Sequence, residues 1–315
     1  MQTYIVRRIL AVIPVMAVVL LFVFFMLRLP GGADPAAIIA GDYASPSDIA
    51  RIRHQLGLDE PIYTQLFIWL KKLFLQGDLG ISIFSNLPVT KLIGQRLEPT
   101  LALSLTTMIF AVTLAVPMGV LAAWKAGTWV DRLVMVFAVL GFSFPVFWMG
   151  FLLIFSFSVT LEWLPVQGYR NIGDGLIPFL RHIILPTITL GVVYMALIAR
   201  ITRASVLEVL SEDYIRTAHS KGLKPNGVLW GHALKNASVP IVTIIGVGVA
   251  LLIGGVVITE SVFAIPGLGR LTVDAILHRD YPVIQGIILI FAFAYVMINL
   301  IVDLLYTVLD PRIRY

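Results

Sequence analysis

Residues 9–27 read ILAVIPVMAVVLLFVFFML, an apolar run without a single charged side chain. A helix needs about 20 such residues to cross the roughly 30 Å hydrocarbon core of a bilayer. Arg7 and Arg8 precede the run, as basic residues do in a secretory signal peptide. The run exceeds the roughly 7–15 apolar residues of a signal peptide, and no small-residue cleavage site follows it. We therefore predict an uncleaved membrane anchor.

Five further apolar runs follow, so the chain is predicted to be an all-α membrane protein with six transmembrane helices. The predicted spans are Ile9–Leu27, Leu101–Trp124, Leu133–Leu161, Ile183–Ala199, Val239–Thr259 and Val283–Leu309. The composition agrees, because 59% of the residues are hydrophobic and only 13% are charged, whereas soluble proteins carry about 25% charged residues. The surplus apolar surface has to face lipid.

The distribution of Lys and Arg predicts that both termini are cytoplasmic. Of 23 such residues, twelve fall in the predicted inner segments and four in the two short outer loops. Cytoplasmic loops are enriched in Lys and Arg, and the long segment after the first span is left out because long segments cross regardless of charge. The predicted organisation is an anchor (1–29), an extracytoplasmic segment (30–97) and a five-helix core (98–315) with a cytoplasmic loop at 200–238.

Three short helices are predicted in the extracytoplasmic segment. Ser45-Pro46-Ser47-Asp48 is typical of a helix N-terminus, with a serine cap, a proline and an acid in the first turn. A second helix is predicted from Pro61 to Gly77, and a third from Pro88 to Leu97. These helices are expected to pack on the outer mouth of the bundle or to lie on the lipid interface.

Several kinds of chemistry are absent from the sequence. There is no Cys, which excludes disulfides and thiolate sites. No Gly-Lys dipeptide occurs, which excludes a P-loop, and neither Gly-x-Ser-x-Gly nor His-Glu-x-x-His is present. We therefore expect no enzyme activity, cofactor or metal in this chain, and the basic residues suit the inner membrane face rather than nucleic acid.

Two patterns within the spans are candidates for helix packing or for the transport pathway. Asn299 and Asp303 lie four residues apart on one face of the last span. They either belong to a pathway or gate, or make a helix–helix hydrogen bond near the cytoplasmic interface. Gly246, Ala250 and Gly254 recur every four residues in the fifth span, a spacing that permits close helix approach.

The segment 211–222 has the features of a short isolated helix. Ser211 is expected to cap it, Glu212 and Asp213 lie in its first turn, and Gly222 is expected to end it after Lys221. Its apolar side is predicted to consist of Tyr214, Ile215 and Ala218.

This segment resembles the cytoplasmic signature of ABC-importer permeases, in the branch that includes dipeptide, oligopeptide, glutathione and nickel permeases. The family pattern of Glu-Ala-Ala, three residues and Gly has Arg216 and Thr217 in its first two places but keeps Ala218 and Gly222. The other similar motifs are Tyr4-x-x-Arg7-Arg8, Leu56-Gly57-Leu58-Asp59-x-Pro61, Gly77-Asp78-Leu79-Gly80, His232-Ala233-Leu234-x-Asn236-Ala237 with Pro240, Thr259-Glu260-x-x-Phe263-x-x-Pro266-Gly267-Leu268-Gly269-Arg270, Arg279-Asp280-Tyr281-Pro282-Val283-Ile284-Gln285 and Asp310-Pro311-Arg312.

The resemblance implies a type I ABC-importer permease that forms half of a translocation pathway for peptides or a similar small solute. The implied partners are a second homologous permease, usually a different chain, two ATPase subunits that bind ATP and Mg, and an extracytoplasmic binding protein. The residues implied to couple to the ATPase are Glu212, Asp213, Tyr214, Arg216, Ala218, Lys221 and Gly222. The alternatives are a stand-alone secondary transporter, which would need ion or proton sites deep in its spans, and a structural membrane assembly protein.

Overall fold

A computed structural model describes residues 2–26, 35–40, 44–55 and 57–309, and no β-strand occurs among them. The first helix is α1 (Gln2–Met26). Between it and α5 lie α2 (Pro35–Ala40), α3 (Pro46–Gln55) and α4 (Ile62–Lys71, continued by a π-helical turn Lys72–Gln76). The remaining helices are α5 (Val89–Trp124), α6 (Trp129–Ser143), α7 (Val146–Leu153, continued by a π-helical turn Ile154–Thr160), α8 (Leu176–Leu210), α9 (Asp213–Ser220), α10 (Pro225–Asn236, with a π-helical centre), α11 (Ser238–Gly255), α12 (Val257–Val262), α13 (Leu268–Leu277) and α14 (Tyr281–Leu309).

Four of these helices, α1, α5, α8 and α14, are each long and apolar enough to cross a membrane. Two further pairs, α6 with α7 and α10 with α11, qualify if each bent pair counts as one span, which gives up to six. The all-α membrane fold is therefore confirmed.

The predicted third span is not one continuous helix. α6 and α7 meet at an angle of 101°, and Phe144 between them has an extended backbone (φ −89°, ψ 130°). Pro145 follows it, and a proline both lacks an N–H donor and disfavours the helical conformation of the preceding residue. Proline does not always have this effect, because Pro117 in α5 and Pro186 in α8 do not interrupt their helices.

Helices continue past two of the predicted boundaries, because hydropathy does not mark where a helix ends. The short helix predicted from Pro88 to Leu97 is the first part of α5, which continues to Trp124 without a break. The fourth span was predicted to end at Ala199, but α8 continues to Leu210. Its last three turns carry polar residues such as Arg203 and Glu208 and are still helical, so the predicted loop 200–238 is largely helix.

The ends of α3 and α4 follow the predicted signals. The Ser45 Oγ accepts a hydrogen bond from the Asp48 N–H at 3.2 Å, which caps α3. α4 begins after Pro61, and its π-helical continuation ends at Gly77, whose φ of +62° is the left-handed conformation that glycine adopts readily.

The chain divides into two compact units. One comprises the start of α1, Glu98–Gly269 and the part of α14 from Ala294 onward, and the other comprises Ile9–Leu97 and Arg270–Phe293. The first unit has two apolar cores. The larger is formed around buried residues such as Leu103, Ile183 and Ile198, and the smaller contains Val206, Ile215, Ala218, Val228, Leu229 and Ala233.

Candidate functional site

The candidate coupling segment forms α9, a two-turn helix that ends as predicted but is not capped as predicted. The Ser211 Oγ donates to the Glu208 carbonyl at 2.7 Å, so it belongs to the end of α8 and does not cap α9. Glu212 occupies the cap position without a side-chain hydrogen bond. At the other end, the Leu223 N–H donates to the Ala218 carbonyl and the Gly222 N–H to the His219 carbonyl. This pair is the Schellman arrangement, and Gly222 has the left-handed φ of +80° that it requires.

The apolar side of α9 faces the chain itself. Ile215 and Ala218 are buried in the smaller core, where they pack with Val206 of α8 and with Val228 and Leu229 of α10. Ala218 is therefore not available as a docking contact, and Tyr214 does not share the buried side, because 42% of it is exposed.

The outward side of α9 is polar. Glu212, Asp213, Arg216 and Lys221 are all exposed beside Tyr214. The Arg216 guanidinium approaches the Asp213 carboxylate at 3.4 Å, with both side chains at least 80% exposed, and such pairs contribute little to stability. These charged groups remain available to a partner surface.

α8 is fixed to the neighbouring helices, two turns before its C-terminal end, by an ion pair and by a close backbone contact. Arg203 donates from Nε and Nη2 to the two carboxylate oxygens of Asp131, at 2.5 and 2.7 Å, and the Gly127 N–H also donates to this carboxylate. We call Asp131, Arg203 and Gly127 the α6–α8 clamp. In α5, a Cβ on Gly119 would lie 2.6 Å from the Thr202 Cβ and 2.7 Å from the Ala199 carbonyl oxygen, so the α5 and α8 backbones touch.

The clamp was not predicted from the sequence. Lys125 and Arg132 are both much closer to Asp131 in sequence than Arg203 is, so either of them could have been its partner. A bidentate pair needs a planar guanidinium at the right distance and angle. Only the packing of α6 on α8 selects Arg203.

The fifth-span glycine pattern marks close contact within the chain. A Cβ on Gly246 of α11 would overlap the Val302 side chain of α14, and Ala250, one turn further, is buried. One turn before Gly246, the hydroxyls of Thr243 and Tyr306 are 2.7 Å apart. Gly254 lies in α11, but its surroundings are outside the part of the chain that is described.

Asn299 and Asp303 have different partners although they share one face of α14. The Asn299 amide donates to the Tyr295 carbonyl of its own helix, at 2.9 Å, and is exposed. Asp303 forms an ion pair with Arg8 of α1, at 2.9 Å. The Asp303 ion pair therefore joins α14 to α1, at the end of α1 that carries Arg7 and Arg8.

A buried carboxylate lies in the first turn of α12, within the sequence motif that runs from Thr259 to Arg270. Glu260 is fully buried, and the Thr100 hydroxyl donates to it at 2.7 Å. The same hydroxyl accepts the Leu268 N–H at 2.8 Å. A Cβ on Gly267 would overlap the carboxylate, so any side chain there would have to displace Glu260.

A cavity of about 570 Å³ lies beside the segment that joins α7 to α8. Charged and titratable side chains of both signs line it, namely Glu162, Arg170, Asp174, Arg181 and His182. Nearby, burial raises the pKa of the Tyr169 phenol, and the adjacent Glu98 carboxylate raises it further. Among the described residues, no cluster of three or more potential metal-ligating side chains occurs.

Two family models cover almost the whole sequence. Residues 1–106 match the N-terminal part of the binding-protein-dependent transport system membrane component, and residues 115–315 match the binding-protein-dependent transport system inner membrane component. The "Probable peptide ABC transporter permease protein y4tP" of Sinorhizobium fredii is 54% identical over the full length of both chains. The glutathione transport system permease protein GsiC of Escherichia coli K12 is 46% identical, again over both full lengths.

The fold also resembles a solved transporter structure. A chain in an inward-facing structure of the MetNI methionine ABC transporter aligns with a TM-score of 0.57, covering 70% of this chain and 97% of that chain. The identity is 17%, so the likeness concerns the fold alone.

Proposed function

Because this chain belongs to the family of binding-protein-dependent transport system inner membrane components, we propose that it forms half of the pathway through which peptides or a similar small solute are imported. The chain is an inner-membrane permease subunit of an ABC importer. Separate ATPase subunits of such importers hydrolyse ATP, and a binding protein serves the system. The observation that carries the substrate proposal is the full-length similarity to permeases named for peptides and glutathione.

Reconstitution tests the substrate class. The chain is purified with its ATPase, second permease and binding protein, placed in proteoliposomes, and supplied with a labelled dipeptide or with labelled glutathione. Uptake of the dipeptide that requires both ATP and the binding protein is expected. Uptake driven by an ion gradient without ATP would instead identify a secondary transporter.

The second permease is proposed to be a different, homologous chain. Copurification tests this, because a tagged importer permease should bring down both an ATPase and a second permease. A complex that contains only copies of this chain beside the ATPase would contradict the heterodimer.

α9 is proposed to be the coupling helix that seats on an ATPase subunit. Its burial supports the proposal, because Ile215 and Ala218 hold the helix on the chain while the charged side remains exposed. The smaller core joins α9 to the end of α8, and the α6–α8 clamp joins α8 to α6. A movement of the ATPase at α9 would therefore be transmitted to the spans. Such coupling needs ATP to bind the two states of the ATPase with different affinity.

Crosslinking tests the seat of α9. The chain has no native Cys, so Tyr214→Cys offers a single thiol on the outward side, and Val206→Cys, fully buried in the smaller core, offers a buried control. A crosslink to the ATPase from Tyr214→Cys alone is expected, and its absence in the assembled, active complex would refute the assignment.

A further inference from the structure

α4 and its π-helical continuation carry a row of exposed aromatic side chains. Tyr63 is 73% exposed, Phe67 is 68% exposed and Phe74 is 69% exposed, and no side chain of this helix is buried. We call these three residues the aromatic face. Contiguous apolar surface of this kind marks a site of interaction with another molecule or with a membrane.

The position of α4 relative to the membrane follows from one aromatic contact. The Trp69 ring lies 5.6 Å from the Phe24 ring of α1, centroid to centroid. Phe24 is two residues before the end of the apolar span Arg7–Met26. The helical rise from Arg8 to Phe24 is about 24 Å, close to the roughly 30 Å thickness of a hydrocarbon core. α4 therefore lies level with the membrane boundary opposite the arginines.

The surroundings at that level are apolar, and two lysines lie on the helix itself. Only 11% of the α1 span is buried within the chain, and Phe22 and Phe25, near Phe24, are exposed. Lys71 and Lys72 are exposed on α4 itself. Aromatic rings are enriched at membrane–water interfaces, and lysine side chains extend their ammonium groups toward lipid phosphates.

From these contacts we propose that α4 is an interfacial helix bound to phospholipid. The aromatic face enters the boundary between headgroups and acyl chains, and Lys71 and Lys72 contact the phosphates. The helix is held at both ends for this role. The Gln65 Nε2 donates to the Leu58 and Glu60 carbonyls, which fixes the preceding turn, and Gly77 ends the helix.

Site-directed spin labelling of the full chain in its assembled complex tests this placement. A nitroxide is attached to Phe67→Cys, and its collisions with oxygen, which partitions into lipid, are compared with its collisions with a water-soluble nickel chelate. Val18→Cys, 66% exposed in the middle of α1, is the control for lipid, and Asp59→Cys, exposed in the turn before α4, is the control for water.

We expect the ratio of oxygen to nickel collisions at Phe67 to be several-fold above that at Asp59 and to approach that at Val18. A ratio equal to that at Asp59 would place the face in water and refute the proposal. Protection from both reagents would also refute it, because the face would then be covered by another subunit or by the binding protein.

The phosphate contact has a separate test in vesicles of phosphatidylcholine with or without phosphatidylglycerol. The label at Phe67 should be immersed more deeply when phosphatidylglycerol is present, and Lys71→Glu combined with Lys72→Glu should remove that difference. An unchanged difference in the double variant would show that the lysines do not contact the anionic lipid.

Discussion

The bidentate pair between Arg203 and Asp131 connects the arm that carries α9 to the rest of the core. The Asp131 side chain is 6% exposed and the Arg203 side chain 25% exposed, so little water reaches the pair. Removing one partner of a buried ion pair leaves an uncompensated charge, which costs about 3–5 kcal/mol. The partial exposure of Arg203 puts the expected loss at the lower end of that range.

Asp131→Asn should therefore lower the thermal stability of the complex and reduce transport per ATP hydrolysed. Arg203→Lys should have a smaller effect of the same sign, because lysine keeps the charge but loses the two-pronged geometry. Arg51→Gln is the matched control, since it breaks an exposed pair with Asp48 and should change neither property. Unaltered stability and coupling in Asp131→Asn would contradict a role for the clamp.

Gly222 and Gly227 both have room for a side chain, but their backbone conformations differ. A Cβ meets nothing within 4 Å at either position, but φ is +80° at Gly222 and −65° at Gly227. A non-glycine residue in the left-handed conformation costs roughly 1–2 kcal/mol, whereas Ala in place of a helical Gly gains about 0.5–1 kcal/mol.

Gly222→Ala should thus lower transport per ATP hydrolysed, and Gly222→Leu should do the same, while Gly227→Ala should not. ATPase assays paired with uptake assays measure the ratio. If both Ala variants behave like the parent protein, the turn at Gly222 does not contribute to coupling.

At the scale of the element, α9 has an inward side that holds it and an outward side that is proposed to dock. Ala218→Asp would place a carboxylate in the smaller core, where burial of an unpaired charge is strongly unfavourable. Detachment of α9 from α8 and α10 is expected, seen as faster amide hydrogen exchange in 213–220. Tyr214→Ala should leave exchange unchanged and weaken copurification with the ATPase.

These two variants separate packing from docking. Equal exchange in Ala218→Asp and in the parent protein would contradict the burial of that methyl group. Normal ATPase binding by Tyr214→Ala together with Arg216→Glu would leave the outward side without a role in docking.

The contact of α11 with α14 depends on the absence of a side chain at Gly246. Gly246→Leu should push Val302 away and disturb assembly or gating, and Gly254→Leu is expected to have a similar effect. Val247→Leu, at the neighbouring position that is 45% exposed, is the control. Assembly and uptake in the three variants measure the effect, and normal transport by Gly246→Leu would mean that the two helices need not approach closely.

For the whole molecule, the basic residues predict an orientation with both termini in the cytoplasm and Ser47 outside. The absence of native Cys allows a single thiol at Ser47→Cys to be labelled by a membrane-impermeant maleimide. Labelling of intact cells or right-side-out vesicles is expected. Labelling from the cytoplasmic side alone would reverse the assigned topology.

The membrane fold and the importer function could be determined from the sequence, because they depend on properties that are local along the chain. An apolar run such as 9–27 has to enter lipid whatever its neighbours are. Likewise, the motif from Asp213 to Gly222 is defined by residue types and their spacing, so it can be recognised without knowledge of the conformation. The glycine turn at Gly222 was predictable for the same reason, since a helix end is set by a few consecutive residues.

The tertiary structure decided everything that depends on which surfaces meet. In the folded chain Ala218 is buried, Arg203 pairs with Asp131, the predicted third span bends at Pro145 and α8 continues to Leu210. In each case the local sequence is compatible with more than one outcome, such as an exposed or a buried methyl group, or a kinked or a broken helix. Packing against residues distant in sequence selects one of them, because side-chain contacts and buried ion pairs depend on separation in space and not on separation along the chain.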